Sequence, residues 1–317
     1  MEHHIVPQFY LRQFRDTTTD PRRGPQVWVA DLPRGTVELR SPKGIAKRID
    51  YYAVRKDNGT ADHFFETEVL SPVENSVAPV FTKLRTGQYQ LAAEERVKLG
   101  EFMALLCTRV PGWRNQMEAL AGDVAHAWIR AAAQHPSYFE RMLRKGNRGV
   151  EFSCERSKEV QRLALDPAAF EYRGTPELSV NSMPSVAAKL APTLYGMAWV
   201  FVTPPPGMRF VACDNPVQWY DPTAADPLDH TLLSKNAVLN FPVGPRACLV
   251  AAWRNRFPHS SAANDAILRC LNDRAVRGAE RYVFATDRSD AESAVALRRA
   301  MEERGEPVGS DLARWQH

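Results

Sequence analysis

The sequence lacks the marks of several common protein classes. Its 317 residues include five cysteines, none in a CxxC pair, and the closest two are 22 residues apart. This excludes a thioredoxin motif and a zinc knuckle, and it predicts free, buried thiols in a reducing compartment. No apolar run approaches the roughly 18 residues of a transmembrane helix, and the start of the chain has no apolar segment of the secretory type. We therefore expect a soluble, cytoplasmic protein with no membrane partner.

The familiar catalytic signatures are also missing. The chain has no GxxxxGK[ST] loop, no GxGxxG after a strand, no HExxH and no GxSxG elbow. These absences disfavour the common nucleotide-binding folds, zinc proteases and serine hydrolases, and we expect no nucleotide cofactor. The 41 lysines and arginines against 37 acidic residues give a net charge of +4. That mildly basic balance permits a phosphate-bearing partner without requiring one.

What is present is the composition of a folded, globular protein. Hydrophobic residues make up 44% of the chain and charged residues 25%, close to the average of soluble domains. A disordered or fibrous chain is therefore excluded. The length exceeds a typical domain of about 150 residues, which leaves one large or two packed domains open. We predict a single large domain over 1–317, with sub-regions at 1–60, 61–195 and 196–305.

The spacing of apolar residues predicts an α+β fold in three parts. An N-terminal hairpin at 27–32 and 36–41 follows a short helix at 7–15, and a turn is expected at 57–60. A helical middle begins near 61, with helices at 93–110, 113–134, within 136–163, and at 184–195. A mainly antiparallel C-terminal sheet with flanking helices completes the fold: strands at 197–203, 208–213, 237–243, 247–253 and 282–287, helices at 262–280 and 288–304, and a mobile tail at 305–317.

Two adjacent histidines stand before the first predicted helix. The side chains of His3 and His4 diverge if the chain is extended there. One of them can then act as a metal ligand or a general base while the other points elsewhere. A solvated terminal pair is the plainer interpretation, but the aromatic residues of the following helix would anchor this segment.

A carboxylate and an arginine extend the candidate set. Glu66 follows His63 by three residues, which places both on one face of a helix, as in carboxylate-bridged metal sites and, more often, on solvated helix faces. Arg109 ends an apolar helix, where it would pair with a carboxylate or bind an anionic substrate. Complementing the helix dipole is the alternative for this arginine.

The last candidates are Asp214 and Asn215, which follow the predicted strand at 208–213 and precede Pro216. Polar side chains at the end of a strand are well placed for a functional site, because the scaffold fixes their backbone. Asp and Asn before proline also form turns through side-chain to backbone hydrogen bonds. Both interpretations remain open for these two residues.

These positions together resemble a known family. The opening segment from His3 to Phe14 looks like the HHxVPxxYLxxF start of the DUF4238 family of uncharacterised, mainly microbial proteins. Weaker similarities follow at these segments: Ser41 through Tyr52, Glu66 through Glu74, Thr108 through Pro111, Phe210 through Pro216, Phe241–Pro242 and Asn272. The resemblance covers about residues 3–285, and Cys213 stands where the family commonly has serine. It implies that the scattered polar positions belong together, and the family name implies no activity.

Two hypotheses of function follow. In the first, the protein is a metal-dependent hydrolase, nuclease- or phosphodiesterase-like, whose catalytic set is His3, His4, Glu66, Arg109, Asp214 and Asn215. Its metal ligands would be His4, Glu66 and Asp214, around Mg²⁺, Mn²⁺ or Zn²⁺. The ion would activate water, and Arg109 would stabilise an anionic, phosphate-bearing substrate such as nucleic acid.

In the second hypothesis, the protein is a non-catalytic binding or regulatory protein. The same polar residues would then form a buried structural network in which every polar atom has a partner. Convergence of the candidate residues on one open pocket would favour the enzyme.

Overall fold

A computed structural model describes residues 1–55, 60–146, 153–166, 168–223, 232–253 and 258–309. The chain divides into two compact units, one made of Met1–Trp113 with Val180–His317 and the other of Arg114–Ser179. The prediction of a single domain over 1–317, with its three sub-regions, stays a prediction. Residues 57–59 of the predicted turn and 310–317 of the predicted tail lie outside the described residues.

The strands lie in the larger unit and form four described sheets. The strands are β1 (Glu2–His4), β2 (Val27–Asp31), β3 (Thr36–Arg40), β4 (Lys47–Ile49), β5 (Val54–Arg55), β6 (Ala61–Asp62), β7 (Ala198–Thr203), β8 (Ala212–Cys213), β9 (Gln218–Tyr220), β10 (Val238–Gly244), β11 (Ala247–Ala252), β12 (Ser260–Ala262) and β13 (Tyr282–Ala285). The sheet orders are β12-β7-β11-β10-β9, β3-β2-β13-β8, β1-β4 and β5-β6. Apart from the parallel pair β12 and β7, the described pairings are antiparallel.

The helices follow one another along the chain in the order that the sequence predicts. They are α1 (Gln8–Leu11), α2 (Ser71–Arg85), α3 (Ala93–Arg109), α4 (Pro111–Ala133), α5 (Pro136–Gly146), α6 (Cys154–Leu165), α7 (Pro176–Gly196), α8 (Asp265–Gly278) and α9 (Arg288–Glu303). A 3₁₀ turn at Arg12–Phe14 extends α1, and a π-helical segment at Phe65–Leu70 runs directly into α2. The predicted α+β fold with a mainly antiparallel sheet is confirmed. No helix among the described residues has the length and apolar character needed to cross a membrane.

One predicted strand is much shorter than expected. The segment 208–213 contributes only β8, Ala212–Cys213, to a sheet. Before it, the Asn272 side chain accepts a hydrogen bond from the Val211 amide at 3.1 Å and donates to the Arg209 carbonyl at 2.9 Å. A side chain thus takes the place of a neighbouring strand for these backbone groups.

The five-stranded sheet carries the core that anchors the N-terminal segment. Its alternating residues Leu239 and Phe241 face a buried cluster that includes Phe81 of α2 and Phe102 of α3. Tyr10 of α1 stacks on Phe241, with ring centroids 5.4 Å apart, and its hydroxyl donates to the Pro242 carbonyl at 2.6 Å. This contact fixes α1, and with it the two histidines just before it, against the sheet.

The remaining clusters are smaller. On the other face of this sheet, Val200 and Cys248 belong to a buried cluster with Leu268 and Leu271 of α8. The smaller unit has a cluster of its own, made of Ala132, Ala133, Phe139 and Ala164. All five cysteines are free, as predicted, although Cys154 and Cys270 are exposed rather than buried.

Candidate functional site

The strand β1 sends its two histidines in different directions. It pairs with β4, so that His3 lies opposite Arg48 and His4 opposite Lys47. His3 is fully buried and contacts Tyr52 and His63. His4 lines an open pocket instead. The divergence expected from an extended chain is therefore present, and each histidine has its own surroundings.

The pocket has a volume of about 300 Å³. Its wall combines residues of three neighbouring parts of the larger unit: the end of β1, the helix α1 with its 3₁₀ turn, and the π-helical segment with α2. The lining residues are His4, Pro7, Gln8, Phe9, Arg12, Glu66, Glu74, Asn75 and Ala78. Two of the predicted site residues, His4 and Glu66, thus meet in one pocket.

The ring of His4 has one nitrogen without a hydrogen-bond partner. Its Nε2 is buried and has no hydrogen-bond partner, so the hydrogen bond with the backbone of Lys43 uses Nδ1. Burial lowers the pKa of His4, and the cations Lys47 and Arg109 lower it further, against the opposing effect of that hydrogen bond. At neutral pH the ring is uncharged, Nδ1 carries the proton, and Nε2 is free to accept a proton or a cation.

Glu66 offers a second unsatisfied atom. It lies in the π-helical segment Phe65–Leu70, and its Oε2 is buried without a hydrogen-bond partner. Burial raises the pKa of Glu66; the positive charge of Arg109 opposes this rise and the negative charge of Glu74 adds to it. A π-helical turn is rare and is frequent at functional sites. His63, which was expected on the same helical face as Glu66, precedes the helical segment and does not line the pocket.

Arg109 connects two residues of the pocket lining, His4 and Glu74, through hydrogen bonds in the protein interior. Its side chain is buried, and it donates from Nη1 to Glu74 Oε1 at 2.7 Å, from Nη2 to the His4 carbonyl and from Nε to the Tyr52 hydroxyl at 3.2 Å. Of the roles left open for this arginine, pairing with a carboxylate is the one observed. Each of its three nitrogens makes one of these hydrogen bonds, and Arg109 itself does not line the pocket. Its contacts position His4 and Glu74.

His3 forms a second group with His63 and Asp50, whose potential ligand atoms lie within 4.8 Å of one another. The Nδ1 of His3 accepts the backbone N–H of Tyr52 at 2.9 Å, and its Nε2 lies 3.1 Å from Nδ1 of His63. A neutral imidazole carries one proton, so His3 must carry it on Nε2, where it points at His63. That nitrogen then has no lone pair for a metal ion.

Asp50 supports the same interpretation. Its carboxylate accepts a hydrogen bond from the α-amino group of Met1 at 2.5 Å, which lowers the pKa of Asp50. The Nε2 of His63 lies 3.9 Å from the same carboxylate oxygen. His3 and His63 are therefore joined by a hydrogen bond, while Asp50 lies near His63 at a distance too long for one. The His3–His63 contact connects β1 to the residues just before the π-helical segment.

The structure places Asp214 and Asn215 in another part of the larger unit. The carboxylate of Asp214 accepts three backbone N–H groups, from Glu280 at 2.8 Å, Arg281 at 2.8 Å and Tyr282 at 3.0 Å. The carbonyl of Asn215 accepts from Gln218 Nε2 at 3.2 Å. Neither residue lines the pocket of His4 and Glu66, so the proposed metal set does not come together as a triad.

Other pocket residues were absent from the sequence-based set. Arg12, Gln8 and Asn75 bring a guanidinium and two amides to the pocket. A signal for two of them was present, because Gln8 and Arg12 stand four residues apart in the opening motif and share a face of one helical turn. The sequence around Asn75, next to Glu74, contains no pattern that indicates a site residue.

Comparisons with known proteins identify the family of this chain but assign no activity to it. No curated protein and no solved structure matches it. A family model, described as a protein of unknown function, DUF4238, matches residues 2–289. The opening motif, the two glutamates and the arginine that build the pocket all lie inside that range, and the chain belongs to the DUF4238 family.

Proposed function

We propose that the pocket is the active site of a hydrolase, with His4 as general base and Glu66 as general acid. One observation carries this proposal: His4 and Glu66 line the same open pocket, and each has a buried polar atom, Nε2 of His4 and Oε2 of Glu66, that has no hydrogen-bond partner. Unsatisfied buried polar atoms are costly. A bound water or substrate between them would supply the missing hydrogen bonds.

The protonation states suit this division of roles. In water, a glutamate is ionised at pH 7 and cannot donate a proton. Burial raises the pKa of Glu66 and lowers that of His4, which moves each toward the form that its role needs. His4 would take a proton from the attacking water as the new bond to the substrate forms. Glu66 would give its proton to the oxygen of the leaving group as the old bond breaks.

A divalent cation is a second candidate for the same two atoms. The His4 ring donates Nδ1–H to a backbone carbonyl, as metal-binding histidines commonly do, and Glu66 would add a carboxylate. With Asp214 elsewhere, such an ion would have two protein ligands, and water with substrate phosphate would complete its coordination. This incomplete protein shell favours Mg²⁺ or Mn²⁺ over Zn²⁺, which prefers three or four protein ligands.

The experiment compares hydrolysis of phosphate monoesters and diesters by the wild type, His4→Gln and Glu66→Gln. We expect each variant to lose about 10² to 10⁴ of the rate, as for the removal of a general acid or base. Glu68→Gln is the matched control, since Glu68 is an exposed glutamate in the same π-helical segment and should leave the rate unchanged.

The metal question needs two further measurements on the same proteins. Elemental analysis shows whether Mg, Mn or Zn copurifies with the protein. Assays with and without a chelator show whether the rate needs the ion. Rates that survive chelation support the acid–base form, and rates restored only by added Mn²⁺ or Mg²⁺ support the cation. Full activity of both His4→Gln and Glu66→Gln, or no hydrolysis of any ester, would contradict the proposal and favour the non-catalytic, structural network.

A further inference from the structure

The pocket lining includes one positively charged side chain that forms no ion pair with the described residues. Arg12 lines the pocket and is exposed. The only hydrogen bond of its side chain among the described residues joins Nη2 to Gln8 Oε1 at 3.3 Å. No ion pair in the described part of the chain includes Arg12.

The acidic groups of the pocket do not compensate this charge. Glu74 is already paired with Arg109 at 2.7 Å, so these two charges cancel. Burial raises the pKa of Glu66, which weakens its negative charge, and His4 is driven toward its neutral form. The guanidinium of Arg12 is therefore the charged group of this pocket that an anionic ligand can pair with.

Two amides line the same pocket. Gln8 lies one helical turn before Arg12 and contacts it, and Asn75 lies on α2. A guanidinium with nearby amide N–H groups is the donor set that binds oxyanions, because its fork matches two oxygens of a phosphate or carboxylate. Pro7, Phe9 and Ala78 contribute apolar surface to the same pocket.

We propose that Arg12, with Gln8 and Asn75, binds the anionic oxygen group of the substrate, and that the substrate is a small organic anion. The assignment of that anion as substrate rests on the proposed function, whereas its binding does not. The volume of about 300 Å³ lies at the lower end of small-molecule sites. It suits one phosphate- or carboxylate-bearing molecule, in place of the nucleic acid considered from the sequence.

The test measures binding of inorganic phosphate and of acetate by calorimetry, with chloride at the same ionic strength as reference. Phosphate binding alone identifies a phosphate site, and acetate binding alone a carboxylate site. We expect Arg12→Gln to weaken binding about 10- to 100-fold, the range for loss of a charged hydrogen bond. Arg12→Lys should keep part of the affinity, since it retains the charge and loses the fork.

The matched control is Arg15→Gln. Arg15 is exposed, lies three residues away and does not line the pocket, so this variant should bind like the wild type. Unchanged affinity in Arg12→Gln, an equal loss in Arg15→Gln, or no binding of either anion by the wild type would overturn the inference. Selective binding of single-stranded oligonucleotides over both small anions would overturn it as well.

The same variants separate this inference from the proposed function. His4→Gln and Glu66→Gln should still bind the anion, because neither residue belongs to the Arg12 subsite. If anion binding depends on Arg12 but no ester is hydrolysed, the subsite stands and the hydrolase proposal fails. If esters are hydrolysed and Arg12→Gln leaves KM unchanged, the hydrolase stands and the subsite fails; a rise in KM with constant kcat supports both.

Discussion

Arg109 donates a hydrogen bond from Nη2 to the backbone carbonyl of His4, although 105 positions separate them in the chain. The bond joins the end of α3 to β1 and leaves the His4 ring to face the pocket. Through Nη1 the same guanidinium holds Glu74 at 2.7 Å. The buried guanidinium of Arg109 thus positions two residues of the pocket lining, although Arg109 itself does not line the pocket.

Replacing Arg109 by methionine should destabilise the fold strongly. The variant leaves Glu74 without its counter-charge and the His4 carbonyl without its donor. Breaking a buried pair in this way costs about 3–5 kcal/mol. The measurement is the free energy of unfolding from urea denaturation. The control Arg144→Met removes an exposed pair with Glu140 on one helix and should cost less than about 1 kcal/mol.

A second substitution shows where that cost arises. Adding Glu74→Gln to Arg109→Met removes the uncompensated carboxylate, so the double variant should be more stable than the sum of the two single effects predicts. Strict additivity would mean that Glu74 is solvated well enough in the single variant to need no partner.

Much of the fold follows from local sequence patterns. The hairpin of β2 and β3 was predicted because alternating residues flank a turn with Gly35, and α3 because apolar residues repeat at helical spacing from 93 to 109. The short strand β12 was not predicted, because Ser260–Ala262 is exposed and has no alternation. Its parallel pairing with β7 is a long-range contact that no local pattern encodes.

The sequence predicted only part of the candidate site, again because local patterns do not encode long-range contacts. The opening motif identified His4, and spacing identified Glu66 and Arg109, but none of these patterns reports which residues meet in space. Asp214 stood at a strand end like a site residue, and the structure gives its carboxylate to three backbone N–H groups. Arg12 was passed over because its four-residue spacing from Gln8 is common on helices and does not by itself indicate a binding site.

Asp214→Asn separates a structural from a catalytic role. The asparagine side chain would keep one oxygen and turn an N–H₂ group toward backbone donors, leaving one or two of three amides unpaired. At about 1–3 kcal/mol for each unsatisfied group, we expect a loss of roughly 2–4 kcal/mol in the free energy of unfolding.

Two comparisons complete this prediction. Asp20→Asn is the control, because the exposed Asp20 carboxylate accepts one backbone N–H, from Arg22 at 2.9 Å, and should cost less than about 1 kcal/mol. Folded Asp214→Asn should bind phosphate or acetate like the wild type. A loss of ligand binding without a loss of stability would instead place Asp214 in the site.

The buried His3 predicts a pH dependence of stability. Burial, with the neighbouring His63, lowers the pKa of His3 from 6.5 to about 4 in the folded protein. As the pH falls from 6.5 toward 4, the unfolded chain therefore binds a proton that the folded chain does not. The free energy of unfolding should fall over this window, by about 3 kcal/mol in total.

Urea denaturation at pH values between about 4 and 7.5 measures that slope. His3→Asn should be less stable than the wild type at neutral pH and should show a shallower fall on acidification. His259→Gln changes an exposed histidine and should retain the slope of the wild type. An unchanged slope in His3→Asn would assign the acid sensitivity to other groups.

Ala78→Phe tests whether the pocket is used at all. Ala78 lies on α2, half-buried, with its methyl group in the pocket lining. A phenyl ring there would fill the pocket at a small cost in stability, since the space is already open to solvent and the helix accepts the residue at about 0.5 kcal/mol. Thr82→Phe introduces the same ring one turn later, at an exposed position of the same helix that is not part of the pocket lining. It costs almost no helix propensity, because threonine and phenylalanine rank alike. We expect Ala78→Phe to abolish anion binding and hydrolysis while Thr82→Phe keeps both, and equal activity of the two variants would move the function away from this pocket.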